Sequence, residues 1–196
     1  MTLISRIDHV SIAVKDYEEA FNFFSKLLGS VPGAGMEDPN MKYVWQLFSL
    51  GDLSRLELMH PTGTGSFLDG FLKDKKGGVH HITLETPDIE KFRQHLEEQG
   101  IPYFGFGSMG EVWKELFIHP KHAFGVLIQV AEFNPDDWLA ESEKMPPGKR
   151  FSVSANNDGC TVTFSHPGGG KSSISLAASE ARQLAADIND ALKQSS

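Results

Sequence analysis

Cysteine is nearly missing from this chain: Cys160 is the only one in 196 residues, which excludes an intrachain disulfide framework and a cysteine-built metal site. Cations are short as well. Eighteen Lys and Arg stand against 26 Asp and Glu, a formal charge of −8, whereas nucleic acid and anionic membrane surfaces attract basic proteins. No run approaches the ~20 apolar residues of a membrane span, and no cationic segment leading into an apolar core opens the sequence. The expected setting is therefore the cytoplasm, with neither nucleic acid nor membrane as partner. What is present, 40% apolar and 22% charged residues, suffices for one sizeable core or one domain with an appendage.

The chain reads as one unit used twice. Residues 6–14 alternate like a half-buried strand, with Val10, Ile12 and Val14 on one face and His9, Ser11 and Ala13 on the other. Asp16, followed by Glu19, predicts a capped helix whose apolar stripe, Tyr17, Phe21, Phe24 and Leu28, stops at Gly29. Val31–Asn40, rich in Gly and Pro, reads as a loop, and Tyr43–Leu50 and Ser54–His60 as two strands. Ser66–Lys73 suggests a short helix before the polar turn at 74–78. The second unit repeats the order: a strand from Val79 to Leu84, Asp88 as helix cap, Ile89, Phe92 and Leu96 at helical spacing, then strands at Val112–Ile118 and Val126–Ala131.

One offset relates the halves. His81 lies 72 positions after His9, Asp88 72 after Asp16, and Gln129 72 after Glu57. Two histidines, a carboxylate and an amide, each on a strand and opposite an apolar face, make a candidate ligand set for a divalent ion such as Zn, Fe, Co, Mn or Ni. A lone strand histidine is ordinarily a hydrogen-bonded structural residue. A repeated one with repeated partners is not so simply explained. His80 should face away from His81, and His60, His95, His119, His122 and His166 fall at strand ends, on a helix or in loops, where solvated histidines are common. Tyr43, Trp45, Phe104, Phe106 and Trp113 are either core or pocket lining. Residues 134–196 form a ββα-like extension, with strands at Phe151–Ser154, Cys160–Ser165 and Ser172–Leu176 and an amphipathic helix from Ser179 to Lys193. No chemistry is expected of it.

The segments Ile7-Asp8-His9-Val10, Leu56-Glu57-Leu58-Met59-His60-Pro61, Gly78-Val79-His80-His81-Ile82 and Ile118-His119-Pro120-Lys121 through Gln129 resemble the vicinal oxygen chelate superfamily, especially its methylmalonyl-CoA epimerase branch. The resemblance covers about residues 5–133. It implies an α+β fold of two tandem βαβββ modules, about 5–61 and 78–133, forming a cupped metal site within a domain 1–133. It also implies His9, Glu57, His81 and Gln129 as ligands of a divalent metal ion, a small-molecule substrate such as a CoA thioester, and a homodimer. The chain departs from the family at Gln129, where a glutamate normally doubles as acid and base; the family's other base has Glu37 as its nearest counterpart. Glu57, the repeat equivalent of Gln129, is then the expected catalytic carboxylate. The expected activity is that of a metal-dependent isomerase or lyase stabilising an enolate, as in acyl-CoA epimerases and glyoxalases. The alternatives are a non-heme iron dioxygenase and a non-catalytic protein that sequesters a small ligand.

Overall fold

Two aspartates start the helices that follow the two histidine-bearing strands. Asp16 accepts from the Glu19 amide at 2.9 Å and Asp88 from the Lys91 amide at 3.0 Å, so each helix leaves its strand through a capped turn. The computed structural model describes residues 3–51, 54–138, 150–165 and 171–194. By contacts the chain forms two units, Met1–Leu50 with Ser54–Lys144, and Gly51–Leu53 with Met145–Ser196.

In the larger unit, β1 (Arg6–Val14), α1 (Tyr17–Asn22), β2 (Val31–Asp38), β3 (Tyr43–Ser49) and β4 (Arg55–Pro61) make the first module. The short α2 (Asp69–Leu72) leads to the second: β5 (Gly77–Glu85), α3 (Ile89–Glu98), β6 (Phe104–Met109), β7 (Trp113–Ile118) and β8 (Ile128–Glu132). This is βαβββ twice. The eight strands form one sheet in the order β2-β3-β4-β1-β5-β8-β7-β6. In each module the first and last strands pair in parallel, and the modules join by the antiparallel pairing of β1 with β5.

α1 and α3 cover the face of the sheet opposite the histidines, while Leu68 and Leu72 at α2 pack with Ala13 and Met59 on the histidine face. Ile89, Phe92 and Leu96 of α3 pack with Leu116 and Val130 in one buried cluster. Tyr17 and Phe21 of α1 lie against His60 and Phe48. Burying five such side chains is worth about 1.5–3 kcal/mol each before chain entropy is counted.

Two strands differ from the sequence-based expectation. Val31–Asn40, expected as a loop, is mostly β2, and β6 lies where no strand is expected. Both are outer edges of the sheet, and in both the pairing slips at a bulge, between Pro32 and Gly35 and between Phe104 and Gly107. Edge strands tolerate Gly and Pro because one side of the ladder needs no partner. Gly105 has φ +64°, and a Cβ there would meet Phe117 at 2.9 Å, so the bulge requires glycine.

The smaller unit has three strands at about the expected places, β9 (Phe151–Ala155), β10 (Gly159–Ser165) and β11 (Lys171–Ala177), ordered β11-β10-β9 and followed by α4 (Ala178–Gln194). One face carries Ser and Thr, paired as Thr161 with Ser175 at 3.2 Å and Thr163 with Ser173 at 2.9 Å. His166 lies outside the described residues. Among the described residues, no helix is long and apolar enough to cross a membrane.

Candidate metal centre and cavity

Strand register brings the repeat-related residues together. Ser11 of β1 is the partner of Glu57 on β4 and of His81 on β5; Thr83 of β5 is the partner of His9 on β1 and of Gln129 on β8. Two rows of three side chains therefore lie side by side across the middle of the sheet. Alternation sends all six to the same face, the one away from α1 and α3.

Hydroxyl groups hold the rows together. Ser11 Oγ donates to Glu57 Oε2 at 2.5 Å and lies 2.8 Å from His81 Nε2. Thr83 Oγ1 donates to Gln129 Oε1 at 2.5 Å and lies 2.8 Å from His9 Nε2. His81 Nε2 is also 3.1 Å from Gln129 Oε1. The ligand atoms of His9, Glu57 and His81 lie within 4.8 Å of one another, with Glu57 Oε2 3.9 Å from His9 Nε2 and 3.8 Å from His81 Nε2.

The residues one position earlier orient the rings. Asp8 accepts from His9 Nδ1 at 2.6 Å, which leaves Nε2 as a bare lone pair facing Glu57. His80 stands in the same relation to His81, Nδ1 to Nδ1 at 3.0 Å, with its ring packed on Phe67 and Phe71. The expectation that His80 only packs away from the site misses this contact. A proton on His81 Nδ1 frees its Nε2 for a ligand role.

Asp8 is fully buried and also accepts two 2.6 Å bonds from Arg55 and one of 3.0 Å from Arg6. Burial works to raise its pKa, but the His9 hydrogen bond and the Arg55 guanidinium outweigh it and hold the carboxyl below the usual range. Burial pushes Glu57 up, against His9 and the Ser11 hydrogen bond. Burial above all pushes His81 down to about 3, so its imidazole is neutral near pH 7.

More lone pairs converge here than there are protons to meet them. His9 Nε2, Glu57 Oε2, His81 Nε2 and Gln129 Oε1 share two hydroxyl hydrogens, and a divalent cation is the natural complement of such a set. Zn–N and Zn–O bonds of about 2.0–2.2 Å let one ion span donors about 4 Å apart. The residues fit the group.

The site opens into a cavity of about 370 Å³, within the usual size of small-ligand pockets. His9, Glu57 and Gln129 line it together with Tyr43, Trp45 and Trp113. Phe104 and Phe106, expected alongside these aromatics, are exposed and outside its lining. Glu37 is exposed and does not line it either; its neighbours Met36 and Asp38 do. Glu115 does line it, and is a residue the sequence reading missed. Its carboxylate accepts from Gln129 Nε2 at 2.5 Å and from Trp113 Nε1 at 2.8 Å, which turns the Gln129 amide so that Oε1 faces the histidines. At the same 72-residue offset Glu115 corresponds to Tyr43, which is not an acid. The repeat therefore carries no signal for it.

Comparison with known proteins agrees with this architecture. The profile of the Glyoxalase/Bleomycin resistance protein/Dioxygenase superfamily matches residues 8–111. The ethylmalonyl-CoA/methylmalonyl-CoA epimerase of Cereibacter sphaeroides is 37% identical over 134 residues, spanning 66% of this chain and 99% of that one. The human mitochondrial methylmalonyl-CoA epimerase is 33% identical over 134 residues, 66% of this chain and 74% of that one. The crystal structure of methylmalonyl-CoA epimerase from Mycobacterium tuberculosis superposes with a TM-score of 0.63 at 26% identity, covering 69% of this chain and 93% of that one.

Proposed function

The chain belongs to the glyoxalase/bleomycin resistance protein/dioxygenase superfamily, and from that premise we propose that it is a metal-dependent isomerase that moves a proton on the carbon beside a thioester carbonyl. The observation that carries this reading is the Glu57 carboxylate, fixed by Ser11 between the His9 and His81 imidazoles and open to the cavity.

Glu57 is the base. Burial raises its pKa toward the range in which a carboxylate takes up a proton effectively, while Ser11 holds one oxygen and fixes its orientation. The electron pair left on carbon by that proton is delocalised onto the carbonyl oxygen, and the cycle closes when a proton, from Glu57 or from water in the cavity, returns to the same carbon and the C=O bond re-forms. His9, Glu57, His81 and Gln129 would hold a divalent ion, which when bound would supply a Lewis acid for this oxygen. Gln129 carries no useful proton, so the carboxylate chemistry falls to the module that holds Glu57, with the roles of the two halves exchanged relative to the family pattern. The relatives' names support an acyl-CoA thioester as substrate.

The test is solvent exchange. With a divalent metal bound, wild-type protein should wash deuterium into the α-position of an acyl-CoA in D₂O. Glu57→Gln should lose that exchange while keeping near-normal metal content, because an amide oxygen still ligates. Undiminished exchange in the variant sinks the assignment.

A further inference from the structure

A single base restores what it removes. Glu57 stands on one side of the reacting carbon, so a proton it returns lands on the face it left, and the configuration there is unchanged. Inversion at that carbon needs a second proton-carrying group on the opposite face.

Glu115 stands where such a group belongs. Glu57 is on β4 and Glu115 on β7, at the two ends of the strand run β4-β1-β5-β8-β7, with His9 on β1, His81 on β5 and Gln129 on β8 between them. Phe117 is the strand partner of Gln129, and Glu115, two residues before it, is turned by alternation to the same face as the histidines. Both carboxylates line the one cavity.

The two are held alike. Ser11 donates to Glu57 Oε2, and the Gln129 amide and Trp113 indole both donate to Glu115 Oε2, at 2.5 and 2.8 Å. Each carboxylate is thus anchored by one oxygen, and among the described residues no hydrogen bond occupies the other, Oε1. An acid anchored through its carbonyl oxygen keeps the remaining oxygen for a proton.

Serving Gln129 does not require a charge. Its N–H needs an acceptor, which an amide or hydroxyl oxygen would be, whereas a half-buried carboxylate in a lining that includes Trp45, Trp113 and Trp138 also loses hydration. Asp38, the other carboxylate of the lining, belongs to the same module as Glu57, and its Oδ1 accepts from the Asn40 and Met41 amides of the β2–β3 turn.

We infer that Glu115 is a second acid/base group of this site, meeting the reacting carbon on the face opposite Glu57. The inference rests on the proton-transfer reading above and adds inversion to it. In one direction the α C–H bond breaks to Glu57 and its electron pair moves onto the carbonyl oxygen. Glu115, protonated at the start of the turn, gives its proton to the other face of the carbon as the C=O bond re-forms. Glu57 ends protonated and Glu115 ionised, and water in the cavity carries the proton back before the next turn in that direction.

The experiment takes each epimer of methylmalonyl-CoA, the thioester in the relatives' names, in D₂O with divalent metal bound. Wild-type protein should interconvert the epimers, with deuterium in the product. Glu115→Gln keeps an oxygen acceptor for Gln129 and Trp113, so its metal content by elemental analysis and its thermal midpoint should stay near wild type. Interconversion should slow by at least about 100-fold. Deuterium should still enter, with retention, the epimer whose hydrogen faces Glu57, and should not enter the other. Glu57→Gln should lose the uptake on its own face. A residue that only orients Gln129 gives a different pattern, in which metal content falls and uptake into both epimers falls with it. That pattern, or unchanged interconversion by Glu115→Gln, overturns the inference. Wild type that exchanges without inverting overturns it while the Glu57 reading stands; wild type that does neither sinks the Glu57 reading as well.

Discussion

Ser11 and Thr83 are the same residue of the repeat, 72 positions apart, and each ties one module to the other. Ser11 joins Glu57 of its own half to His81 of the other, and Thr83 joins Gln129 of its own half to His9. The site is thus a pseudo-twofold pair of hydroxyl bridges on the β1–β5 seam. Its halves differ chemically at the position that is Glu57 on one side and Gln129 on the other.

Thr83→Val removes one bridge and leaves His9 Nε2 and Gln129 Oε1 buried without it. In metal-free protein this should cost about 1–3 kcal/mol of stability. A bound divalent ion takes over His9 Nε2, so the penalty measured by urea unfolding should shrink when the metal is added. An equal penalty in both forms argues against His9 as a ligand.

Asp8 holds the His9 ring through Nδ1. Asp8→Asn should weaken Zn binding by about 10–100-fold in a competition titration with a chromophoric chelator. Arg55→Met, by contrast, leaves that hydrogen bond in place and strips Asp8 of its buried cation, at a cost of about 3–5 kcal/mol in unfolding free energy.

Tyr43 sets an alkaline limit. Burial first, then the charges of Glu57, Asp38 and Glu115, raise its folded pKa above the ordinary tyrosine value of 10.0, so the native state keeps the proton after the unfolded chain has lost it. The stability this contributes is complete below pH 10 and falls as pH rises toward the folded pKa, by about 1.4 kcal/mol per unit. Tyr43→Phe should therefore gain on wild type between pH 10 and 11 in chemical denaturation. A difference that stays constant from pH 8 to 11 contradicts it.

Leu116 is fully buried between α3 and the sheet, and Leu116→Ala should destabilise the protein by about 2–5 kcal/mol. Leu184 on α4 is 40% exposed, and Leu184→Ala should stay within about 0.5 kcal/mol. Denaturant midpoints of the two variants check both.

The sequence by itself determined the duplication. Alternation fixed the strands on which His9, Glu57, His81 and Gln129 stand, Asp16 and Asp88 fixed where helices begin, and the common offset paired the halves, because period and capping are local properties of the chain. Local patterning could not find β2 and β6, since edge strands broken by bulges carry glycine and proline that read as loop. Nor could it find Asp8, Ser11, His80 and Thr83 as a supporting shell: hydroxyls and acids on a strand look alike until register decides which atoms meet. Tertiary structure alone decided that Glu115 orients Gln129 and that three tryptophans, 93 positions apart at the extremes, face one cavity. Such meetings depend on how the sheet brings distant strands together, and no spacing along the chain encodes that.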